Sequence, residues 1–220
     1  MPGQKEKHDA DWVSKDGTPG LFEPYKHRME LCAGLAASLK PARLLDVGCG
    51  PGFMAGLVKA RLPGVRIDGV DISPAALAKA DSVDGKIEAD IDAGDLPVAG
   101  GVYDCVLCTE FLEHLYDPGH AVKELLRVLK PGGRAVLTTP NYALVHNRLA
   151  SLAGRLPQTM LNEQHIRFYT YASLSGLAES AGFRVAARYG ARRRFPSLAA
   201  LWPPLLSEWV ILLLEKRNER

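Results

Sequence analysis

The residues with the most chemistry in them stand where short apolar runs end. Residues 44–47 pass into Gly48-Cys49-Gly50-Pro51-Gly52-Phe53, with Asp46 just before the turn. Glycine at three alternate positions permits positive φ and lets a ligand reach the backbone with no Cβ in the way. A helix over Phe53–Arg61 starts at the same place, so its free N–H groups are donors beside that ligand. A plain turn has no use for three alternate glycines. The spacing is G-x-G-x-G, whereas a dinucleotide-binding turn reads G-x-G-x-x-G. Asp46 is badly placed for an anionic pyrophosphate and suits a cationic ligand. Asp71 ends a second apolar run, 65–70, in position to accept from both hydroxyls of a ribose.

Cysteine offers less. Cys105 and Cys108 form a C-x-x-C, a spacing of redox pairs and zinc sites. They lie in the apolar run 103–108, which reads as a buried strand, and residues three apart on a strand point to opposite faces. No second Cys or His pair stands at zinc spacing, so no metal is expected. Cys32 and Cys49 complete a set of 4, too scattered for a disulfide framework, which favours a reducing, cytoplasmic setting. The run Arg192-Arg193-Arg194 reads as a solvated connection between strands.

These positions need a scaffold, and the rest of the chain supplies a regular alternation. The first 20 residues are polar, with Gly and Pro, and read as an arm or lid. Helix-spaced apolar positions mark 25–39, stopped by Pro41. Strands are expected at 44–47, 65–70, 86–89, 103–108, 134–139 and 183–189, with a final apolar run at 209–215. Helices are expected at Phe53–Arg61, 74–81, 118–129 (closed by Lys130-Pro131-Gly132-Gly133) and 171–181, with an inserted helix within 142–157. Ser73 is a candidate N-cap and Pro74 a first-turn residue. Strands alternating with helices build a parallel sheet covered on both faces. The expected fold is α/β: a Rossmann-like, doubly wound, mostly parallel seven-stranded sheet with helices on both faces.

Composition narrows the function. A chain of 220 residues, 47% hydrophobic and 24% charged, fits one globular domain and excludes disorder and coiled coil. Lys plus Arg is 27 against 25 Asp plus Glu, and a net +2 provides little field for phosphate neutralisation, so no nucleic-acid partner is expected. The greasiest stretch, 198–214, is broken by Pro203-Pro204 and Glu208, so no membrane span is expected. Residues 1–15 contain no apolar signal core.

Residues 44–52 resemble the glycine-rich signature of class I S-adenosylmethionine-dependent methyltransferases. Four further segments resemble that family in the same order: Val70-Asp71-Ile72-Ser73, Gly94-Asp95-Leu96-Pro97 leading to Tyr103-Asp104, Glu110-Phe111-Leu112-Glu113-His114, and Leu129-Lys130-Pro131-Gly132-Gly133 with Thr139-Pro140-Asn141. The likeness covers about residues 40–190, and its Glu-His pair is similar to ubiquinone-biosynthesis O-methyltransferases.

The resemblance implies S-adenosyl-L-methionine as cofactor, with S-adenosyl-L-homocysteine as product. Gly48, Cys49, Gly50 and Gly52 would line its methionine and ribose portion, and Asp46 would sit near its amino group. Asp71 would hold the ribose hydroxyls, with Ile72 against the adenine. Asp90 and Ile91 would meet the adenine edge, in a register that Asp92 and Asp95 contest unless those two only cap their loop. Thr109 and Glu110 would flank the methionine end. On the acceptor side, His114 is a candidate general base. His165 and Arg167 come from a segment that in relatives closes over the acceptor, so His165 is the second catalytic candidate. His8, His27, His120 and His146 are read as exposed.

The domain division expected is 1–40 as an N-terminal arm and lid helix and 41–220 as the cofactor-binding domain. An acceptor-side insertion is expected at about 142–167, and the lid, residues 142–164 and residues 198–206 would shape the acceptor pocket. The implied activity is methyl transfer to an oxygen or nitrogen of a small molecule, with a homodimer allowed for. The alternative is a non-catalytic cofactor-binding protein of the methionine-biosynthesis-associated type, modulating another enzyme.

Overall fold

In the computed structural model, which describes residues 25–193 and 196–217, seven strands form one sheet. They are β1 (Arg43–Val47), β2 (Arg66–Asp71), β3 (Gly85–Glu88), β4 (Tyr103–Thr109), β5 (Leu129–Pro140), β6 (Phe183–Ala191) and β7 (Trp209–Lys216). Their order is β3-β2-β1-β4-β5-β7-β6. The first five pair in parallel, while β7 runs antiparallel between β5 and β6. This is the expected mostly parallel doubly wound sheet. The order reverses between β1 and β4, and the crevice beyond the carboxyl ends of those strands is where such sheets bind ligands.

The helices are α1 (Lys26–Ser38), α2 (Phe53–Arg61), α3 (Pro74–Ala78), α4 (Pro118–Val128), α5 (Val145–Leu152), α6 (Tyr171–Ser180), α7 (Pro196–Leu201) and α8 (Pro203–Leu206). Strand alternation sends Leu45, Val47, Val106, Cys108 and Leu137 into one core with Leu125 of α4 and Leu174 of α6. Leu44, Cys105, Leu107 and Val136 enter the other, with Met29 and Cys32 of α1 and Val58 of α2. Cys105 and Cys108 therefore lie on opposite faces as expected, and burial pushes the Cys105 thiol up to about 12. No helix among the described residues is long and apolar enough to cross a membrane.

Two boundaries differ from the sequence expectation by three residues or more. Lys130-Pro131-Gly132-Gly133 does not stand between α4 and a later strand but lies inside β5. Gly101 and Val102 donate to the carbonyls of Arg127 and Val128, so pairing with β4 begins where α4 ends. The surplus residues form a bulge, since Tyr103 pairs Leu129 and Cys105 pairs Arg134, with Gly132 at φ 74°. Helix α3 stops at Ala78, not Asp81, because Lys79 and Ala80 turn their N–H groups to carbonyls three residues back. Ser73 caps it as expected, accepting from Ala76 N at 3.1 Å. The expected arm and Arg194 lie outside the described residues; Arg193 is exposed and pairs Glu208 at 2.8 Å.

Helix α7 packs so closely on β6 that only glycine fits at 190. A Cβ there would collide with the carbonyl oxygen of Ala199 and lie 2.9 Å from its carbon, both backbone atoms. Gly190→Ala is expected to lower stability by about 1–3 kcal/mol through overpacking. Calorimetry would read this as a fall of several degrees in melting temperature.

Candidate active site

The glycine turn follows β1 with Gly48, Gly50 and Gly52 at φ 72°, 51° and 79°, all in the region that favours glycine. The turn's own N–H groups are paired within the protein. Gly48 and Cys49 donate to the Val70 carbonyl at 2.8 and 3.0 Å, and Gly52 to Cys49 at 3.0 Å. Gly50 donates to Asp71 Oδ2 at 2.8 Å. The turn is thus braced against β2 and is no anion cradle. A Cβ at Gly48 would lie 2.5 Å from the Phe111 ring, so this glycine also admits the loop after β4. Cys49 turns its buried side chain toward Gly69, where a Cβ would come within 2.8 Å of its sulfur, so its backbone alone borders the turn.

Asp46 is 1% exposed, and its Oδ2 has no hydrogen-bond partner. Burial, and then the charge of Asp71, raise its pKa to about 7. Asp71 is oriented by two donors, Gly50 N and, at 2.9 Å, Ser73 N. Ile72 is half-buried beside it. Ile91 is buried within the core, whereas Asp90 is exposed and accepts from Asp92 N at 3.0 Å. Asp92 accepts from Tyr116 N and Asp117 N at 3.0 Å each. Asp95 lies 3.5 Å from half-buried His120. Asp92 therefore ties two loops together and Asp95 meets a histidine of α4.

Beyond β4, Thr109 is half-buried and Glu110 adopts φ 52°, uncommon for a residue with a Cβ. Thr138 of β5 holds it there: Glu110 N donates to Thr138 O at 3.0 Å, and the Thr138 hydroxyl donates to Glu110 Oε1 at 2.9 Å. Arg28 of α1 completes the cluster. It is 7% exposed, donates to Thr138 Oγ1 at 3.3 Å and lies 3.7 Å from Glu110. Its guanidinium sits 5.9 and 5.5 Å from the ring centroids of Tyr25 and Trp209. Sequence reasoning overlooked Arg28; the available signal was an arginine beside Met29 on the apolar face of 25–39.

Next to this cluster opens a cavity of about 390 Å3. Tyr25 and Arg28 form one wall, and Glu110, Glu113 and His114 another. The insertion contributes Leu144, His146, Gln158, Thr159, Asn162 and His165, and Glu208 and Trp209 close the side toward β7. The His114 and His165 rings lie 5.1 Å apart, edge to face. Glu113, 1% exposed, finds no partner for either carboxylate oxygen. Burial, then nearby Glu110, push its pKa well above the usual carboxylate range.

Two segments expected on the acceptor side stand outside this cavity. Arg167 does not line the cavity; it donates to the Tyr116 carbonyl at 2.5 Å and pins the insertion to the loop after β4. Residues 198–206 do not line it either, because Asn141 Nδ2 anchors this connection through Pro204 O and Ser207 O at 3.2 and 2.9 Å.

Residues 21–188 match the model of the Methyltransferase domain family, and the chain belongs to that family. A probable S-adenosylmethionine-dependent methyltransferase of Mycolicibacterium smegmatis is 33% identical over 175 residues, covering 76% of this chain and 63% of that protein. A ubiquinone biosynthesis O-methyltransferase of Burkholderia cenocepacia is 32% identical over 162 residues, covering 68% of this chain and 67% of its own. The 1,6-didemethyltoxoflavin-N1-methyltransferase of Burkholderia thailandensis, solved with S-adenosylhomocysteine, superposes with a TM-score of 0.65. Its identity is 15%, over 99% of this chain and 92% of that one. Among other curated relatives the matched part is as little as 30% or 48% of the relative's length. S-adenosyl-L-methionine is the cofactor of this methyltransferase domain.

Arg28→Met removes a charged donor from Thr138 and leaves Glu110 with the Thr138 hydroxyl but without its cation. Loss of such a hydrogen bond is expected to cost about 1.5–3 kcal/mol, measurable as a lower urea midpoint.

Proposed function

We propose that the chain transfers the methyl group of S-adenosyl-L-methionine to an oxygen or nitrogen of a small-molecule acceptor bound in the cavity beside Glu110. The observation that carries this reading is the cavity of about 390 Å3, with Glu110 in its wall. Its volume lies in the ordinary range for small-molecule sites. It opens beyond the ends of β4 and β5, and β4 pairs with β1, the strand that carries Asp46.

In this reading Gly48, Cys49, Gly50 and Gly52 give the cofactor a backbone surface, and Asp46 receives its amino group. Asp71, with both oxygens already aimed by backbone donors, takes the ribose hydroxyls. Ile72, Asp90 and Ile91 serve the adenine, and Thr109 and Glu110 the methionine end. The sulfonium is intrinsically reactive, so the protein chiefly has to align it with the acceptor. Alignment can supply roughly 7–11 kcal/mol, against about 10²–10⁴-fold from a general base. His114 and His165, facing each other across the cavity wall, are the groups that serve the acceptor's proton. Incubation with metabolite extract and methyl-labelled cofactor, followed by mass spectrometry, tests the activity; cofactor binding without labelling of any metabolite would count against it.

Asp71→Ala is expected to weaken cofactor binding at least tenfold, since a charge-assisted acceptor contributes roughly 1.5–3 kcal/mol. Calorimetry on the folded variant checks it. Asp46 adds a pH signature. With its pKa raised to about 7 it holds a proton below that pH, and a cationic ligand favours its ionised form. Affinity should therefore rise from pH 5 to about 7, and binding near pH 6 should release a proton. Calorimetry in two buffers of different ionisation enthalpy would detect that proton, and Asp46→Asn should abolish it.

A further inference from the structure

Among the described residues, Glu113, His114 and His165 bring one carboxylate oxygen and two imidazole nitrogens within 4.8 Å of one another. We infer that these three side chains form a site for a divalent transition-metal ion on the wall of the acceptor cavity, and that the ion binds the hydroxyl of the acceptor.

Two independent observations support a cation there. The first is Glu113, buried to 1% exposure with neither oxygen partnered. A carboxylate left so is costly, and in native proteins such a group is accounted for by an ion or ligand. The second is the orientation of the imidazoles. His114 Nδ1 lies 3.0 Å from the Gln164 carbonyl, and His165 Nδ1 lies 3.2 Å from the Thr159 carbonyl. A carbonyl oxygen only accepts, so both Nδ1 atoms carry the proton and both Nε2 atoms carry the lone pair. Metal-ligating histidines are held in just this way by an outer carbonyl. Asn162 Nδ2 donates to His165 Nε2 at 2.9 Å, with its Oδ1 fixed by Gln164 N at 3.1 Å. That amide stands in for the cation and retracts when one binds.

The donor set selects the metal class. Two imidazoles and one carboxylate suit zinc, cobalt, iron, nickel or manganese rather than calcium or magnesium, which want an oxygen shell. Three protein ligands leave coordination positions open, as in catalytic rather than structural sites. Those positions face the cavity that the proposed function assigns to the acceptor, and this inference rests on that reading. There a coordinated hydroxyl becomes more acidic. With the metal bound, His114 and His165 are ligands in place of bases, and the hydroxyl loses its proton to solvent. Its oxygen lone pair attacks the methyl carbon, the carbon–sulfur bond breaks with its electrons going to sulfur, and the sulfonium becomes a neutral thioether. The metal thus favours oxygen as the methylated atom.

The test uses the untagged full-length chain, stripped of metal by a chelator and titrated with Co2+ alone. One equivalent per chain should bind, with the visible ligand-field absorption of nitrogen and oxygen ligands. Glu113→Gln and, separately, His165→Ala should each weaken binding at least tenfold, whereas His120→Ala should leave it unchanged. Circular dichroism checks folding, and His165→Ala, in the insertion loop, keeps the test valid should Glu113→Gln fail to fold. Absence of stoichiometric binding, or equal affinity in His165→Ala, overturns the site. Cofactor affinity measured on the same samples separates the two readings: cofactor binding without cobalt binding removes the metal alone, and the reverse strikes the methyltransferase reading.

Discussion

A carboxylate taken out of water without a donor is among the most costly groups a fold can hold. Among its described residues this one holds two, at the carboxyl ends of adjacent strands. Asp46 stands one residue before the end of β1 with one oxygen unpartnered, and Glu113 follows β4 with both unpartnered. Burial raises the pKa of each above the ordinary range. A proton or a bound cation meets that cost at each position. The sheet order that sets β1 beside β4 is therefore the constraint on which the site depends.

Much of the remaining structure keeps that crevice walled. The insertion is bound to the loop after β4 by its backbone, since Ile166 and Arg167 donate to the Glu113 carbonyl at 3.0 and 3.1 Å. Asn147, 1% exposed, reaches the Asn141 carbonyl at 3.2 Å and holds α5 over the end of β5. Antiparallel β7 brings Trp209 opposite Pro140, where its ring meets Tyr25 at 6.1 Å. In this way α1, which in sequence read as a lid helix, forms a wall of the cavity.

The strands and the acids at their ends were legible because they announce themselves locally: an apolar run, then glycine or aspartate. The start of β5 was not, because Pro131-Gly132-Gly133 is a stop signal on its own and only pairing with β4 overrides it. Asp92 and Asp95 could be read either as ligands or as loop caps until the geometry placed Tyr116, Asp117 and His120 against them. Glu113 and His114 were visible as residue types. That Glu113 would be buried unpartnered, or that His165 would arrive beside it from some 50 residues downstream, depends on the fold of the insertion. Arg28 and Arg167 exchanged places for the same reason: a lone arginine gives no sign of which carbonyl or carboxylate it will meet.

The sign of the crevice also bears on where catalysis comes from. Four N–H groups of the glycine turn are spent on Val70, Cys49 and Asp71, so the turn offers little positive potential. Asp46, Asp71 and Glu110 supply negative charge, and Arg28 is tied to Thr138 beside Glu110. Such a site discriminates against a pyrophosphate and in favour of a cation. In the proposed arrangement Asp46 and Asp71 hold the amino and ribose ends, whose charge does not change when the methyl group leaves. Contacts equal in ground and transition states give affinity without rate. Acceleration must then come from the acceptor side, where position and the loss of a proton change along the reaction, and there the sequence brings Glu113, His114 and His165 together.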